Sequence, residues 1–329
     1  MQGQDPLPAL WSLAQRAGGL TAAQVAVELD TGAVLRTHLL RPTWHLVAPA
    51  DIRWLLRATA ARVQRSNAPV YQRAGLGHEA RSATRRVLAA ALSDGRHRTR
   101  AELADALAAA GFALAGQPLA YALMDAELEG VVCSGAAREG RQTYALLDQR
   151  APGVEPRTRE ESLAELARRY HATRGPVTEH DFAAWASLTL AEARRATAAV
   201  SDSLESFEHD GRTWWHGPGE LPPASRGHRV DLVQAYDELV ISYSRTRDVL
   251  TGGVQLFDDA PRPLQHWVLV DGRAAARWTY ERDARGRPAR VVARPLRPWT
   301  EGERVGLVRA VGAFAHFAGV DVAWTEAPA

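Results

Sequence analysis

The chain of 329 residues contains no lysine, so all 40 of its basic residues are arginines. Arginine carries a planar guanidinium that pairs with phosphate and stacks on bases, which is compatible with binding to nucleic acid. A codon bias towards arginine and alanine would give the same composition. The formal net charge of +2 does not distinguish this bias from selection for binding to nucleic acid. The absence of lysine therefore permits a nucleic-acid partner without indicating one.

Cysteine is also almost absent. Cys133 is the one cysteine of the chain, which excludes an intramolecular disulfide and any metal site built from several cysteines. No apolar run approaches the roughly 18 residues that span a bilayer, and the N-terminus lacks the pattern of a signal peptide. The length suffices for two to four domains, and a hydrophobic content of 46% suffices for a sizeable core. We therefore expect a soluble cytoplasmic protein with no membrane partner, metal or cofactor.

Helix starts are marked by a threonine followed three residues later by glutamine or glutamate. In this capping box the two side chains satisfy each other's backbone N–H groups, which would otherwise lack a partner. Each occurrence precedes apolar residues at helical spacing. The boxes are Thr21/Gln24, Thr99/Glu102, Thr158/Glu161, Thr189/Glu192 and Thr300/Glu303.

One order of elements occurs twice. From residue 82 the pattern predicts three helices and then a hairpin over residues 131–147. From residue 158 it again predicts three helices, followed by a hairpin over residues 207–216 with Asp210-Gly211 at its tip. Three helices followed by a β-hairpin is the winged-helix plan. The N-terminal residues give a partial copy, with two helices and a hairpin over residues 34–47 that is interrupted at Arg41-Pro42.

These patterns predict a mainly α-helical α+β protein of tandem winged helices. The expected domains are a first winged helix over residues 1–77, a second over 78–156 and a third over 157–217. The first is expected to lack its first helix. A proline- and glycine-rich linker over residues 218–223 then leads to a small α+β domain over 224–329, with two or three strands and a closing helix.

Four segments carry a resemblance to a known family. The chain resembles the AlkZ/YcaQ group of bacterial winged-helix DNA glycosylases, whose members have a C-shaped array of winged helices and a Gln-hydrophobic-Gln or Gln-hydrophobic-Asp motif. The matching segments are Gln2-Gly3-Gln4, Arg36-Thr37-His38 with residues 41–47 (RPTWHLV), residues 142–147 (QTYALL), and residues 235–238 (AYDE) with Tyr243 and Arg245.

The resemblance implies that Gln2 and Gln4 are catalytic and position a water beneath the scissile bond. Asp5 would orient one of the amides, or else it caps the following helix. The chain departs from the family at two points. Gly3 stands where the family has an aliphatic residue, and Met1 directly precedes the motif where the family has a helix.

Arginines and histidines of the predicted hairpins and helices are candidate DNA contacts, since phosphate contacts give sequence-tolerant affinity. His38 and His45 have an alternative role as hydrogen-bonded histidines at a strand end. Three acids, Asp125, Glu127 and Glu129, argue against reading of the major groove by the helix that carries them. The candidate contacts are Arg36, His38, Arg41, His45, Arg81, Arg85, Arg138 and Arg141.

The sequence thus predicts a monomeric, nucleoid-associated DNA glycosylase acting on damaged double-stranded DNA. It would hydrolyse the N-glycosidic bond of N-alkylated purines, including bulky or crosslinked ones. The alternative is a non-catalytic winged-helix DNA-binding protein or transcriptional regulator, and a third class is a module that binds protein partners. Salt-sensitive affinity for DNA separates the first two from the third.

Overall fold

The computed structural model describes residues 1–220, 229–248 and 266–327 of an α+β protein. The chain forms two compact units. The first unit contains Met1, Asp5–Val25 and Pro218–Ala329, and the second contains Gln2–Gln4 and Ala26–Gly217. The boundary between Val25 and Ala26 falls inside one helix. The domain limits expected from the sequence stay a prediction.

The second unit holds most of the described helices and seven strands, six of which form three hairpins. A 3₁₀ turn at Ser201–Ser203 precedes its last hairpin. Its elements, with the helix that crosses the boundary, are α2 (Ala22–Thr31), β1 (Leu35–Leu39), β2 (Arg41–Val47), α3 (Pro49–Arg73), α4 (His78–Ala91), β3 (Arg98–Thr99), α5 (Arg100–Ala109), α6 (Gly116–Leu128), β4 (Val132–Ser134), β5 (Thr143–Leu146), α7 (Leu147–Arg150), α8 (Arg159–Arg174), α9 (Glu179–Trp185), α10 (Leu190–Ala198), β6 (Glu205–His209) and β7 (Arg212–His216).

The predicted order of three helices and a hairpin is present twice. The first repeat runs from α4 to β5 and the second from α8 to β7. In the first repeat β3 pairs with β5, giving a sheet in the order β3-β5-β4. In the second repeat Val177, at the same point before the second helix, forms a bridge to Trp215 of β7. Both repeats therefore add a short third segment to the edge of their hairpin.

The capping boxes are confirmed as helix starts. Thr158, for example, accepts a hydrogen bond from the backbone N–H of Glu161, whose carboxylate accepts one in return from the backbone N–H of Thr158. A sixth box, Thr178 with Asp181, begins α9 and was not recognised because aspartate replaces glutamate. Each box satisfies donors that the first helical turn leaves unpaired.

Three of the described hairpins turn through two residues with positive φ, as the right-handed twist of the strands favours. Asp210 and Gly211 have φ of 50° and 65°, which confirms the predicted tip. The break between β1 and β2 was placed at Arg41-Pro42, and this is wrong by one residue. It lies at Leu40, whose φ is 61°, and Pro42 lies within β2 close to its start.

The 25-residue helix α3 has no counterpart in the sequence analysis. Its start carries no capping side chain, since Ala48 occupies the N-cap position and Pro49 the first turn. One face is buried and includes Trp54, Val63, Asn67 and Tyr71. Side chains at such three- and four-residue spacings share one face, so the helix rests on its neighbours along most of its length.

The first unit is built on a five-stranded sheet with helices packed against it. Its strand order is β12-β11-β10-β9-β8, and the core joins Trp11 of α1 to Trp278, Phe314 and Phe317. The sequence analysis expected two or three strands and missed the short β8 and β12. The elements are α1 (Pro6–Arg16), β8 (Val230–Val233), α11 (Glu238–Ile241), β9 (His266–Val270), β10 (Arg273–Arg282), β11 (Pro288–Pro295), α12 (Glu301–Ala318) and β12 (Ala323–Glu326).

The predicted linker over residues 218–223 is described only as far as residue 220, and residues 221–223 lie outside the described part of the chain. Among the residues that are described, no helix has the length and apolarity required to cross a bilayer.

Candidate functional site

The glutamine motif runs antiparallel along the edge of β2. Gln2 forms a β-bridge to His45, and the backbone N–H of Gly3 donates to the carbonyl of Trp44 at 2.7 Å. Gln2 is buried, with 4% of its surface exposed, whereas Gln4 is exposed. The motif is thus held as a short extra strand beside the hairpin, and its second glutamine reaches solvent.

The side chain of Gln4 is tied to the same strand. The backbone N–H of Trp44 donates to Oε1 of Gln4 at 3.3 Å, in place of a main-chain acceptor. A backbone N–H can only donate, so the oxygen of this amide must face β2. The Gln4 side chain therefore has a defined orientation despite its exposure.

Strand alternation separates the surrounding residues into two faces. Residues opposite each other in a β-pair project to the same side, so Gln2 shares a face with His45 and with its partner on β1, Thr37. Gly3 belongs to the opposite face, where a Cβ added to it would meet Leu46 Cγ at 3.5 Å and Arg36 Cδ at 3.8 Å. Both are ordinary contacts, so the backbone here does not require glycine.

His45 and Arg41 form a linked pair on the Gln2 face. His45 is fully buried, and its Nδ1 donates to the carbonyl of Thr43 at 2.9 Å. Its Nε2 then accepts from Arg41 Nη2 at 3.1 Å, and Arg41 also donates to the carbonyl of Trp185 in α9. Both predicted DNA contacts thus have partners within the protein. These hydrogen bonds fix the side chains on the face of β2 next to Gln2.

Arg36 and His38 lie on the opposite, buried face. The Arg36 guanidinium sits 4.4 Å from the centre of the Trp44 ring, and His38 Nδ1 contacts the carboxylate of Glu127. Burial lowers the pKa of Arg36, an effect opposed by the negative charge of Glu127. His38 therefore occupies the alternative role, that of a hydrogen-bonded buried histidine, while a DNA contact by either residue stays untested.

Arg81 and Arg85 of α4 converge on one buried carboxylate. Asp125 is fully buried and accepts from Arg81 at 2.7 Å and from Arg85 at 2.6 Å. Gln64 of α3 donates to the same carboxylate at 2.9 Å. The two guanidinium groups are only about one-fifth exposed, so their charge is largely committed to joining α3, α4 and α6.

Helix α6 is enclosed on nearly every side. Every residue from Ala122 to Leu128 is buried, including Asp125 and Glu127. Only Glu129 of the three acids is exposed. Two of the three acids thus serve internal pairs, and the prediction that this helix does not read the major groove stays a prediction. Burial itself keeps these residues from a DNA groove.

Arg138 and Arg141 lie opposite each other at the tip of the first repeat's hairpin. Their backbones exchange hydrogen bonds of 2.9 Å in both directions across Glu139 and Gly140, whose φ values of 52° and 72° close a tight turn. Arg138 also pairs with Glu102 at 2.5 Å. The tip thus presents two exposed arginines, one of them with a carboxylate partner.

Helix α3 carries a basic surface that was not predicted from the sequence. Arg62 and Arg65 of this helix make no side-chain hydrogen bond or ion pair among the described residues. A charge signal was available, since residues 52–78 include five arginines and no acid.

As for metals, the described ranges contain no cluster of three or more histidine, cysteine, aspartate or glutamate side chains.

The chain with this glutamine pair along a hairpin edge matches a known protein family over most of its length. The model of the AlkZ-like DNA glycosylase family matches residues 1–317. The chain belongs to this family. DNA binding and a role in DNA repair follow from membership, and the resemblance seen in the sequence is confirmed.

A solved structure agrees with this AlkZ-like fold. The DNA glycosylase AlkZ of Streptomyces sahachiroi superimposes with a TM-score of 0.76, at 18% identity, over 99% of this chain and 91% of that one. At this identity the likeness establishes the fold alone. A comparison with curated proteins gave no match.

Proposed function

We propose that this AlkZ-like glycosylase hydrolyses the N-glycosidic bond of N-alkylated purines in double-stranded DNA, with Gln2 and Gln4 as its catalytic residues. The observation that carries the proposal is the anchoring of the motif along β2. Gly3 is hydrogen-bonded to Trp44 and the Gln4 amide to the same residue, so both glutamines have a fixed backbone and one a fixed side chain. Fixed polar groups stabilise a transition state without reorganising during the reaction.

The chemistry of the substrate explains why amides suffice. A purine alkylated at N7 carries a positive charge, and when the C1′–N9 bond breaks its electron pair returns to the ring and neutralises it. The leaving group then needs little help from an acid. A water bonds to C1′ and loses a proton to solvent, and the glutamines orient that water and the electron-poor sugar. Bulky or crosslinked adducts fit the same scheme, since the base again carries a positive charge until the bond breaks.

We further propose that the two repeats are winged helices and that residues 1–77 contribute a partial one. Three helices, a hairpin and a short extra edge segment in each repeat support this. The tip with Arg138 and Arg141 would contact the DNA backbone as a wing. The buried α6 supports a mode in which the protein grips the phosphates rather than reading bases in the major groove.

Release of 7-methylguanine from a duplex, measured under single-turnover conditions, tests the proposal. We compare the wild type with Gln2→Ala, Gln4→Ala and the double variant. Gln72→Ala is the matched control, because Gln72 is an exposed glutamine near the end of α3, away from β2. We expect the control to release base at the wild-type rate and the double variant to lose at least about 100-fold, as for removal of a positioned catalytic group.

Two results would contradict this assignment. Equal rates for the wild type and the double variant would remove the glutamines from the mechanism. A wild type that binds duplex DNA but releases neither 7-methylguanine nor a bulkier N7 adduct would favour the non-catalytic DNA-binding protein.

A further inference from the structure

A basic groove lies on α3 beside the start of β2. It has a volume of about 600 Å³ and is lined by Arg62, Arg65 and Ser66 of α3, by Pro42 of β2, and by residues 183–184 and 187–188 at and after the end of α9. No acidic residue lines it. All these residues belong to the second compact unit. The groove therefore combines positive charge with an open surface.

The two arginines of the groove make no side-chain hydrogen bond or ion pair among the described residues. Most arginines described here are bound to a carboxylate or a backbone carbonyl, as Arg81 and Arg85 are, whereas Arg62 and Arg65 have no such partner within the described ranges. Three residues apart on a helix, their side chains project to the same side. Like charges at this spacing repel each other and destabilise a helix slightly. An anion bound between the two arginines would offset this repulsion.

A second groove on the same helix provides a contrast. It has a volume of about 510 Å³ and contains Arg53 and Arg57, but also the acids Glu129, Asp148 and Glu155. Arg53 pairs with Asp148 at 2.5 Å, and Arg57 donates to the carbonyl of Glu155. Its charges are thus balanced internally. Of these two grooves, only that of Arg62 and Arg65 has arginines and no acid in its lining.

The groove also lies close to the glutamine motif. Pro42 precedes Trp44 by two residues in β2, and Trp44 is the residue that holds Gly3 and Gln4. Two residues of a strand span about 7 Å. Phosphates of one strand follow each other at a few ångströms of axial rise, so a nucleotide reaching Gln4 would bring neighbouring phosphates near the groove.

We propose that this groove, formed by Arg62, Arg65 and Ser66, binds backbone phosphates of the DNA strand next to the lesion. Helix α3 would then hold the strand while the glutamines act on one nucleotide. The inference rests on the proposed function and names residues that the hairpin and α4 candidates do not include. The contacts are to phosphate, so they are independent of base sequence and screened by salt.

The test is the salt dependence of binding to an undamaged 20-base-pair duplex, measured by fluorescence anisotropy between 50 and 300 mM salt, values chosen around the roughly 0.15 M of physiological ionic strength. Arg62→Gln/Arg65→Gln is compared with the wild type. The matched control is Arg57→Gln/Arg309→Gln, which also removes two charges, one from the other groove of α3 and one from the exposed face of α12. Arg62→Lys/Arg65→Lys keeps the charge and removes only the guanidinium geometry.

Loss of two phosphate contacts should flatten the slope of log affinity against log salt by about 1.8 and weaken binding by tens of fold at about 100 mM salt. The control should keep the wild-type slope, and the lysine pair should retain most of the affinity. No hydrogen bond or ion pair of Arg62 or Arg65 within the described residues is lost, so the Arg62→Gln/Arg65→Gln variant should unfold at the wild-type urea concentration.

An unchanged slope in Arg62→Gln/Arg65→Gln would overturn the proposal that the groove binds phosphates. An equal loss of affinity in the Arg57→Gln/Arg309→Gln control would also overturn it. Base release distinguishes this failure from failure of the proposed function, because a wild type that excises 7-methylguanine retains that function even if the groove is not used. A wild type without salt-dependent DNA affinity would overturn both.

Discussion

At the scale of single residues, Gly3 tests how tightly the glutamine motif is packed. Its Cβ position has ordinary contacts with Leu46 and Arg36, and its φ lies outside the left-handed region. Gly3→Ala should therefore be accommodated and should raise the free energy of unfolding by about 0.4–1 kcal/mol, because alanine has fewer unfolded conformations to lose. Urea unfolding measures this, and a decrease would show that the edge segment is more crowded than its distances imply.

Asp125 provides a second residue-scale prediction. Its buried carboxylate binds Arg81 and Arg85, so Asp125→Asn should lower the free energy of unfolding by about 3 kcal/mol, near the lower end of the range for breaking a buried pair. The arginines are partly exposed, which limits the effect. Asp148→Asn is the control.

The Asp148 carboxylate is 85% exposed in its pair with Arg53, so that control should cost below about 1 kcal/mol. Equal losses in the two variants, measured by urea unfolding, would mean that burial of Asp125 does not set the strength of its ion pairs.

The candidate residues show how far sequence reasoning reaches. The family motifs identified Gln2, Gln4 and the residues of β2 as candidates, because a short motif can be recognised from consecutive residues alone. Their partners could not be inferred, since His38 meets Glu127 across 89 positions of the chain. Contacts of that separation depend on how elements pack, and the local pattern around either residue holds no trace of them.

At the scale of elements, capping boxes were the most informative local signal. Thr158→Ala removes the hydroxyl that accepts from Glu161 at the start of α8 and should cost about 1 kcal/mol of stability. Thr173→Ala, which deletes a hydroxyl near the end of the same helix, is the control and should cost less. Urea unfolding compares the two, and a larger loss at Thr173 would contradict the role of the cap.

Helix α3 shows what local signals miss. Ala48 offers no capping side chain, and Pro69 within the helix suggests a break to any reader of the sequence. The helix persists because its buried face packs along most of its length, so tertiary contacts outweigh the local preferences. The same limitation hid β8 and β12, two strands of four residues that form the two edges of their sheet.

At the scale of the whole molecule, two buried histidines predict acid sensitivity in both compact units. Burial lowers the pKa of His171 in the second unit and of His266 in the first to about 4. In the unfolded chain each titrates near 6.5, so the unfolded state binds more protons below that pH. Their contribution to stability is complete above pH 6.5 and is lost as the pH falls towards 4.

Each histidine should contribute a slope of up to about 1.4 kcal/mol per pH unit in that window. Urea unfolding between pH 7 and pH 5 measures the slope. His171→Gln should flatten it for the second unit, whereas His180→Gln, at an exposed position of α9, should leave it unchanged. A stability that is flat down to pH 5 in the wild type would contradict the prediction.

The bond between Gln4 and Trp44 has a consequence for what the proposed site can recognise. With one lone pair of its oxygen bonded to β2, the amide presents its NH₂ group, which donates and cannot accept, to incoming molecules. Deamidation of Gln4 to glutamate would keep the bond to Trp44 but replace both outward hydrogens by a negatively charged oxygen. The protein would then lose its donor to a sugar or phosphate oxygen without any change in fold. Deamidation at this single position would therefore replace an attractive contact by a repulsive one.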